Sequence, residues 1–534
     1  MRIITARRIS QVFFFLLFLW LCLVMSIGDR WWQLRGWPVN WFFYLDPLAG
    51  VSTLLTTGTL YNKFWWSLIT IALTLIFGRF FCGWVCPFGS IHHLAGYISH
   101  RKKSLKKKAE LNRYSKWQTF KYYLLIVFMG ACLLDTFSPL FKHNVLVRSA
   151  LQIGLLDPIS MVYRSVQLAM LPLLPSNTVE IFGTDAFYQG TWLIGFIFIV
   201  LVGLNFIRPR FFCRFLCPLG ALFGVLNHCS LWRLGKTQSR CTDCLICEKN
   251  CEGACHPSNM FHQNECVLCM NCRADCHHGL IGYNRHRSAS GEIALPQLSR
   301  RHFIASAISG LFFIPMVRID GALAANWNYR LIRPPGALPE TEFLARCLKC
   351  GQCMRICPTN VIQPALFEAG LEGLWSPVLN FKIGTSGCQL NCIACGHICP
   401  TAAIRPLSIS EKRGEGPFSD TGPVRMGTAF VDRGRCLPWA MDLPCIVCQE
   451  NCPVSPKAIF TRTVFQQIQG IGNLIVESFS DYTLTFGNTI LKPGRYATGD
   501  YYCRIKGIDL PIKILENSEN RMILLRRSQW DSSP

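Results

Sequence analysis

A chain of 534 residues with 50% hydrophobic residues and a mean hydropathy of +0.26 exceeds one domain and points to a protein partly in lipid. The formal charge of +23 does not mark a nucleic-acid binder: Lys and Arg crowd into 1–8, 101–121 and 208–214, each beside an apolar run, as positive-inside signals do. Most of the 29 cysteines stand in close groups where disulfide geometry is awkward, which favours metal ligation over bridges.

Arg7-Arg8 precede the first apolar run, Val12–Ile27, which no small-residue cleavage site follows. It is expected to cross a membrane outward from the cytoplasm, with Trp31, Trp32, Trp37 and Trp41 as an aromatic belt at the far interface. The second run, Phe64–Phe81, returns to RKKSLKKK at Arg101–Lys108. The third, Phe120–Phe137, crosses outward, and the fourth, Thr191–Ile207, comes back to Arg208. Each approaches the ~20 residues that hydrocarbon requires. Leu151–Pro175 is too apolar for a free loop and is expected along the interface. The result is a four-helix membrane domain over 1–235, both ends inside.

This domain carries an internal echo. Leu45-Asp46-Pro47-Leu48 precedes a helix ending in FCGWVCPFGS, and Leu156-Asp157-Pro158-Ile159 precedes one ending in FCRFLCPLGA. Cys82/Cys86 and Cys213/Cys217 are therefore paired C-x3-C-P elements at cytoplasmic helix ends. Two thiols at i and i+4 share a helix face. Facing pairs would supply four ligands to an additional metal centre, or two disulfides, against the plain alternative of small residues easing helix packing. Asp46 and Asp157 admit a quinone-proton role or a helix-capping role. Cys22, Cys132 and Cys229 read as packing residues.

A cytoplasmic two-cluster ferredoxin domain is expected over 236–285. Cys241, Cys244, Cys247 and Cys251, then Cys266, Cys269, Cys272 and Cys276, both follow C-x2-C-x2-C-x3-C, the ligation pattern of paired [4Fe–4S] cubes. Zinc needs four ligands, usually as two distant C-x2-C pairs, and fits poorly. Neither quartet ends in Cys-Pro, and Cys255, before His256-Pro257, is an alternative to Cys251.

Residues 299–325 hold Ser299-Arg300-Arg301-His302-Phe303-Ile304, an apolar stretch and ALAA at Ala322–Ala325: a Tat-like export signal or a fifth membrane helix. Export would carry everything after Ala325 outside. There, over 330–460, stand Cys347, Cys350, Cys353 and Cys357; Cys388, Cys392, Cys395 and Cys399; and Cys436, Cys445, Cys448 and Cys452, each closing on Cys-Pro. Twelve thiols suit three cubes, with cross-ligation open. The tail, 461–534, reads as short strands (Tyr482–Phe486, Tyr501–Ile505) around a lone Cys503.

FCGWVCPFG, FCRFLCPLG and the following ferredoxin pair make the first half resemble the NapH-type quinol-dehydrogenase family. RPPGALPETEFLARCLKCGQCMRICPTNVIQP and MGTAFVDRGRCLPWAMDLPCIVCQENCPV make the second resemble the NapG/MauM-type ferredoxins. The chain looks like a NapH–NapG (MauN/MauM-like) fusion. It departs from that pattern in the spacing before Cys395 and in a fourth outer motif worn down to Cys503. The resemblance implies about five clusters, two inside and three outside, in a multi-pass protein of the bacterial inner membrane. It also implies quinol as substrate and a periplasmic reductase or redox protein as partner. The fold class is thus a polytopic α-helical membrane domain of four helices plus α+β ferredoxin-like [4Fe–4S] domains.

No Rossmann, Walker A, H-E-x-x-H, G-x-S-x-G or C-x-x-C-H motif competes. His92, His93, His143 and His228 near helix ends read as interfacial or solvated residues rather than haem ligands. Three functions remain: quinol oxidation feeding a periplasmic reductase, electron supply for maturing a periplasmic cofactor protein, and a ferredoxin-fed conduit without quinone.

Overall fold

The computed structural model describes residues 3–24, 38–59, 61–137, 153–173, 186–238, 241, 244–293, 295–310, 331–370, 372–384, 387–441, 443–452, 456–462, 474–487, 491–498, 501–508 and 511–525. The longer helices are α1 (Ile3–Val24), α2 (Pro47–Thr57), α3 (Trp65–Phe77), α4 (Pro87–His100), α5 (Leu105–Leu111), α6 (Phe120–Phe137), α7 (Pro158–Arg164), α8 (Thr191–Gly203) and α9 (Pro218–Leu226), of which α1, α3, α6 and α8 overlap the four apolar runs. α6 has the expected bounds. α3 ends at Phe77 rather than Phe81 because Gly78 takes φ +88° and turns the chain. α8 tightens into a 3-10 turn at Leu204–Phe206.

Among the described residues, α1 alone is long and apolar enough to cross a membrane; Trp65–Phe77 and Thr191–Phe206 are apolar but shorter. Trp31, Trp32, Trp37 and His143 lie outside the described residues. The stretch expected along the interface is largely core where it is described, with Ile159, Val162, Tyr163 and Leu168 fully buried, while Met170 and Leu173 at its end are exposed. A helix over 300–310 lies against α6, where Tyr123 meets His302 edge-on at 5.7 Å and its hydroxyl accepts from Ser299 N. Residues 311–330, which include the ALAA string, lie outside the described residues.

Two ferredoxin bodies complete the first compact unit, Met1–Ala429. In one, Arg233–Lys236 pairs antiparallel with Ile281–Asn284. In the other, Ile362–Pro364 pairs antiparallel with Pro377–Leu379. The second compact unit, Phe430–Pro534, holds the third outer quartet, expected with the other two, together with the tail. The tail is a five-stranded sheet, all its pairings antiparallel, in the order Ser478–Ser480, Thr483–Thr485, Arg521–Leu524, Ile512–Asn517, Tyr502–Cys503. Leu484, Ile514, Met522 and Leu524 form its core.

The two ferredoxin bodies meet different helix ends. α1 begins at the first body, where Arg7 Nη1 donates to Cys269 O at 3.2 Å. Its far end sets Phe18 against Tyr163, beside Arg164, whose Nη1 donates to Lys349 O of the second body at 3.0 Å. α3 ends where Phe77 O accepts from Tyr283, and α8 begins beside Gln189, whose N–H donates to Gln363. The 22 residues of α1 span about 33 Å at 1.5 Å each.

Candidate iron–sulfur sites

Each C-x2-C-x2-C loop must fold three thiols around one centre, and left-handed residues turn it. Leu245 (φ 56°), Met270 (φ 60°) and Gly351 (φ 81°) each cap the short helix that carries the third cysteine. The fourth thiol then comes from the partner motif. Cys241, Cys244, Cys247 and Cys276 line one cavity, with Lys236, His277 and His278. Cys266, Cys269 and Cys272 group with Cys251, all four buried. Cys255 is buried beside them and donates its backbone N–H to Cys251 Sγ at 3.2 Å.

The second body repeats the exchange. Cys347, Cys350, Cys353 and Cys399 line one cavity. Cys357 is instead the electrostatic neighbour of Cys388, Cys392 and Cys395. Lys412 Nζ, in that second group, donates to Cys388 Sγ at 3.3 Å and to the carbonyls of Gln389 and Cys392 at 2.7 Å. Lys349 lies in the wall of the first cavity, and burial pushes its ammonium down to about 8, partly offset by Cys347. In the second unit Cys436, Cys445 and Cys452 are half-buried and Cys448 exposed, and Ala458 N donates to Cys452 Sγ at 3.3 Å.

Among the described residues, no three His, Cys, Asp or Glu side chains are spaced to hold a single metal ion. A cube asks for something else: its four thiolates bind four different irons, so they stand further apart than ligands of one ion. Four thiols gathered round one pocket, three from one motif and the fourth from its neighbour, fit that demand. The cross-exchange between motifs is the fit of a two-cluster ferredoxin.

The C-x3-C-P elements depart from expectation. Pro87 and Pro218 start new helices, so Cys86 and Cys217 are extended N-caps rather than i+4 partners on one helix. Cys86 Sγ accepts from Gly89 N at 3.4 Å, and Cys217 Sγ from Gly220 N at 3.2 Å. Cys82 and Cys213 lie in the preceding turns, Phe81–Trp84 and Phe211–Phe215. The four thiols still converge, as electrostatic neighbours of one another. The halves match in space: Phe81 packs on Phe223 at 5.6 Å, and the equivalent Phe212 stacks on His92 at 5.9 Å. Buried Arg79 donates Nε to Cys82 Sγ at 3.3 Å, and its counterpart Arg210 donates to Cys82 O. No disulfide joins the four; all are free thiols.

Sequence reasoning missed the groups that fasten the first ferredoxin to these turns. Glu252, next to Cys251, accepts from Arg7 at 2.6 Å, Arg210 at 2.8 Å and Asn271 at 3.2 Å, with His93 3.3 Å away. Burial opposes its ionisation, but the guanidinium groups of Arg210 and Arg7 outweigh it and hold the carboxyl well below the usual range. Arg214 donates to the carbonyls of Glu252 (2.9 Å) and Cys251 (3.1 Å). Glu265, next to Cys266, pairs with fully buried Lys121 and accepts from Tyr122 at 3.0 Å. The available signal was a cation at the start of an apolar helix and an acid beside a cluster cysteine.

Two side chains differ from their expected settings. His92 is fully buried, and its Nδ1 meets Asn205 Nδ2 at 2.7 Å. Cys229, expected to be packing, is exposed, whereas Cys22 and Cys132 are buried. His228 sits in the 3-10 turn Asn227–Cys229, and its carbonyl accepts from Arg233. Asp46 and Asp157 cap α2 and α7, accepting from Leu48 N (2.8 Å) and Ser160 N (2.7 Å), and the two buried carboxyl groups are electrostatic neighbours that burial pushes up.

The comparisons with known proteins agree with this chemistry. Residues 62–106 and 188–237, one C-x3-C-P element each, match a 4Fe-4S binding domain family, and 343–363 match another of the same description. An uncharacterized protein of Methanocaldococcus jannaschii is 26% identical over 45% of this chain and 79% of its own. The regulatory protein NosR of Pseudomonas aeruginosa is 25% identical over 45% of this chain, which spans about a third of it (31%). The ferredoxin-type protein NapG of Escherichia coli is 29% identical over 31% of this chain and 68% of its own. No solved structure matches. The chain is an iron–sulfur electron-transfer protein of the ferredoxin type.

Proposed function

We propose that this protein is a transmembrane electron conductor that takes electrons from a quinol on the membrane and delivers them to a periplasmic redox partner. One observation carries the reading. A single continuous core holds Cys269 of the first ferredoxin, Cys82, Cys86 and Cys217 of the paired turns, and Cys350 of the second ferredoxin. The membrane setting is supported by apolar side chains left facing outward on α1 (Val12, Phe13, Leu16), α3 (Trp65, Trp66) and α8 (Trp192, Phe196, Ile199), which water would not favour. Four helices, α1, α3, α6 and α8, would then cross, with the first ferredoxin inside and the second outside.

When bound, the cubes supply one-electron carriers; the chain's own residues space them and exclude water. The thiols of each motif hold a neighbour's fourth position, so the two sites of each body cannot drift apart. Arg79 and Arg210 bring positive charge to the four central thiols, which suits thiolates holding a further metal centre. Asp46 and Asp157 are buried neighbours, and burial raises both carboxyls, so a proton is readily held there, which gives quinol oxidation a proton acceptor beside the second body. The test is to add a menaquinol analogue to the purified protein and follow cluster absorbance. Bleaching supports the reading; clusters that stay oxidised with quinol present contradict it.

A further inference from the structure

The two sites of the first ferredoxin differ in access. Cys251, Cys266, Cys269 and Cys272 are buried, whereas Cys244 is exposed and Cys241 and Cys276 are half-exposed. An electron carrier that served only its buried neighbours would gain nothing from an open rim. The rim is also basic. α5 packs against the helical turn Ile246–Lys249, which carries Cys247, and Asn112 Nδ2 fixes it there by donating to Lys249 O at 2.7 Å. Lys106 and Lys107 on α5 are exposed, as are Arg273 on the adjoining turn and His277 and His278 in the cavity wall.

Most nearby carboxylates are already used. Glu248 is buried with Ser258 and His256, and Asp275 accepts from Asn250 at 2.7 Å. Glu110 is the exposed acid on α5. Lipid headgroups would account for lysines beside a membrane helix, but Arg273, His277 and His278 belong to the ferredoxin itself, and the two histidines share a cavity wall with its open thiol.

We infer that this rim is the docking port of a soluble, acidic one-electron carrier protein, giving the conductor a second source of electrons besides quinol. The inference rests on the reading of Cys241, Cys244, Cys247 and Cys276 as cluster ligands. The step is a single electron transfer: the carrier is oxidised by one electron, the site is reduced by one, and no bond or proton moves. Complementary charge would raise the encounter rate and make it depend on salt.

The test uses the full chain in discs of zwitterionic lipid, with reduced acidic flavodoxin as donor and stopped-flow detection. The expected result is a rate that falls steeply with ionic strength. It should drop about tenfold or more in the Lys106→Glu/Lys107→Glu variant and again with Arg273→Glu, with iron content and dithionite reduction unchanged. A rate indifferent to salt or to these substitutions overturns the port, as does a variant that changes only binding to anionic vesicles. Wild-type protein lacking iron at these thiols would sink the ligand reading as well; full iron with no salt-dependent reduction would sink the port alone.

Discussion

A Cβ on Gly83 would come within 2.2 Å of the Val267 carbonyl oxygen, so the Cys82 turn and the Cys266–Cys269 loop meet backbone to backbone. At the other end Gly154 does the same with Leu348 O at 2.1 Å, between Cys347 and Cys350. Alanine at either position must push a cluster loop away, at a cost of roughly 1–3 kcal/mol. Gly83→Ala should lower the melting temperature and broaden the EPR signal of the first ferredoxin, while Gly154→Ala should alter the second alone.

Glu252 balances two buried guanidinium groups. Glu252→Gln keeps the shape but strands Arg7 and Arg210, which should destabilise the first unit by about 3–5 kcal/mol. Because the carboxyl is depressed below its usual 4.5, its contribution is complete above about that pH and fades as acid is added. Melting curves of wild type and variant should therefore converge on acidification. Parallel curves would show that the network is not stabilising.

Cross-ligation makes an unusual substitution prediction. Cys399 closes the motif at Cys388–Cys395 in sequence but lines the cavity of Cys347, Cys350 and Cys353. Cys399→Ser should perturb the latter cluster's EPR signal, and Cys357→Ser the other's. Combining Cys399→Ser with Cys347→Ser should remove only one cube, about four irons. A loss of two cubes from that pair would assign the ligands by motif instead.

Capping and proton holding can be separated at Asp46 and Asp157. Asparagine preserves an N-cap, whereas alanine costs about 1 kcal/mol. Asp46→Asn should leave the melting temperature close to wild type yet slow quinol-driven reduction, and Asp46→Ala should lower both. If asparagine leaves quinol-driven reduction untouched, the pair is only a pair of caps.

Much of this architecture was legible because local chemistry wrote it. The thiol spacings mark the ferredoxin loops, Asp46 and Asp157 before proline offer helix caps, and the paired motifs mark the duplication. What stayed hidden depends on distant partners. Nothing near Glu252 in sequence announces Arg7, and nothing near Glu265 announces Lys121. The spacing of the first two quartets already implies a fourth thiol that reaches across to the other cube, whereas the pairing of the outer motifs was open. Cys82 and Cys86 were expected on one helical face because their i, i+4 interval suggests it, but the proline that follows ends one element and begins another. Helix lengths failed for a similar reason: Gly78 stops α3 before its apolar run is finished.

The central claim is that electrons pass between the two ferredoxin bodies through the four thiols of the paired turns. The most direct test is sealed vesicles containing the protein, with a membrane-impermeant reductant on one side and EPR of all clusters. Wild-type protein should show both ferredoxin bodies reduced, and Cys82→Ser/Cys213→Ser only the body facing the reductant, with its other cubes intact. Equal reduction of both bodies in that double variant would contradict the account.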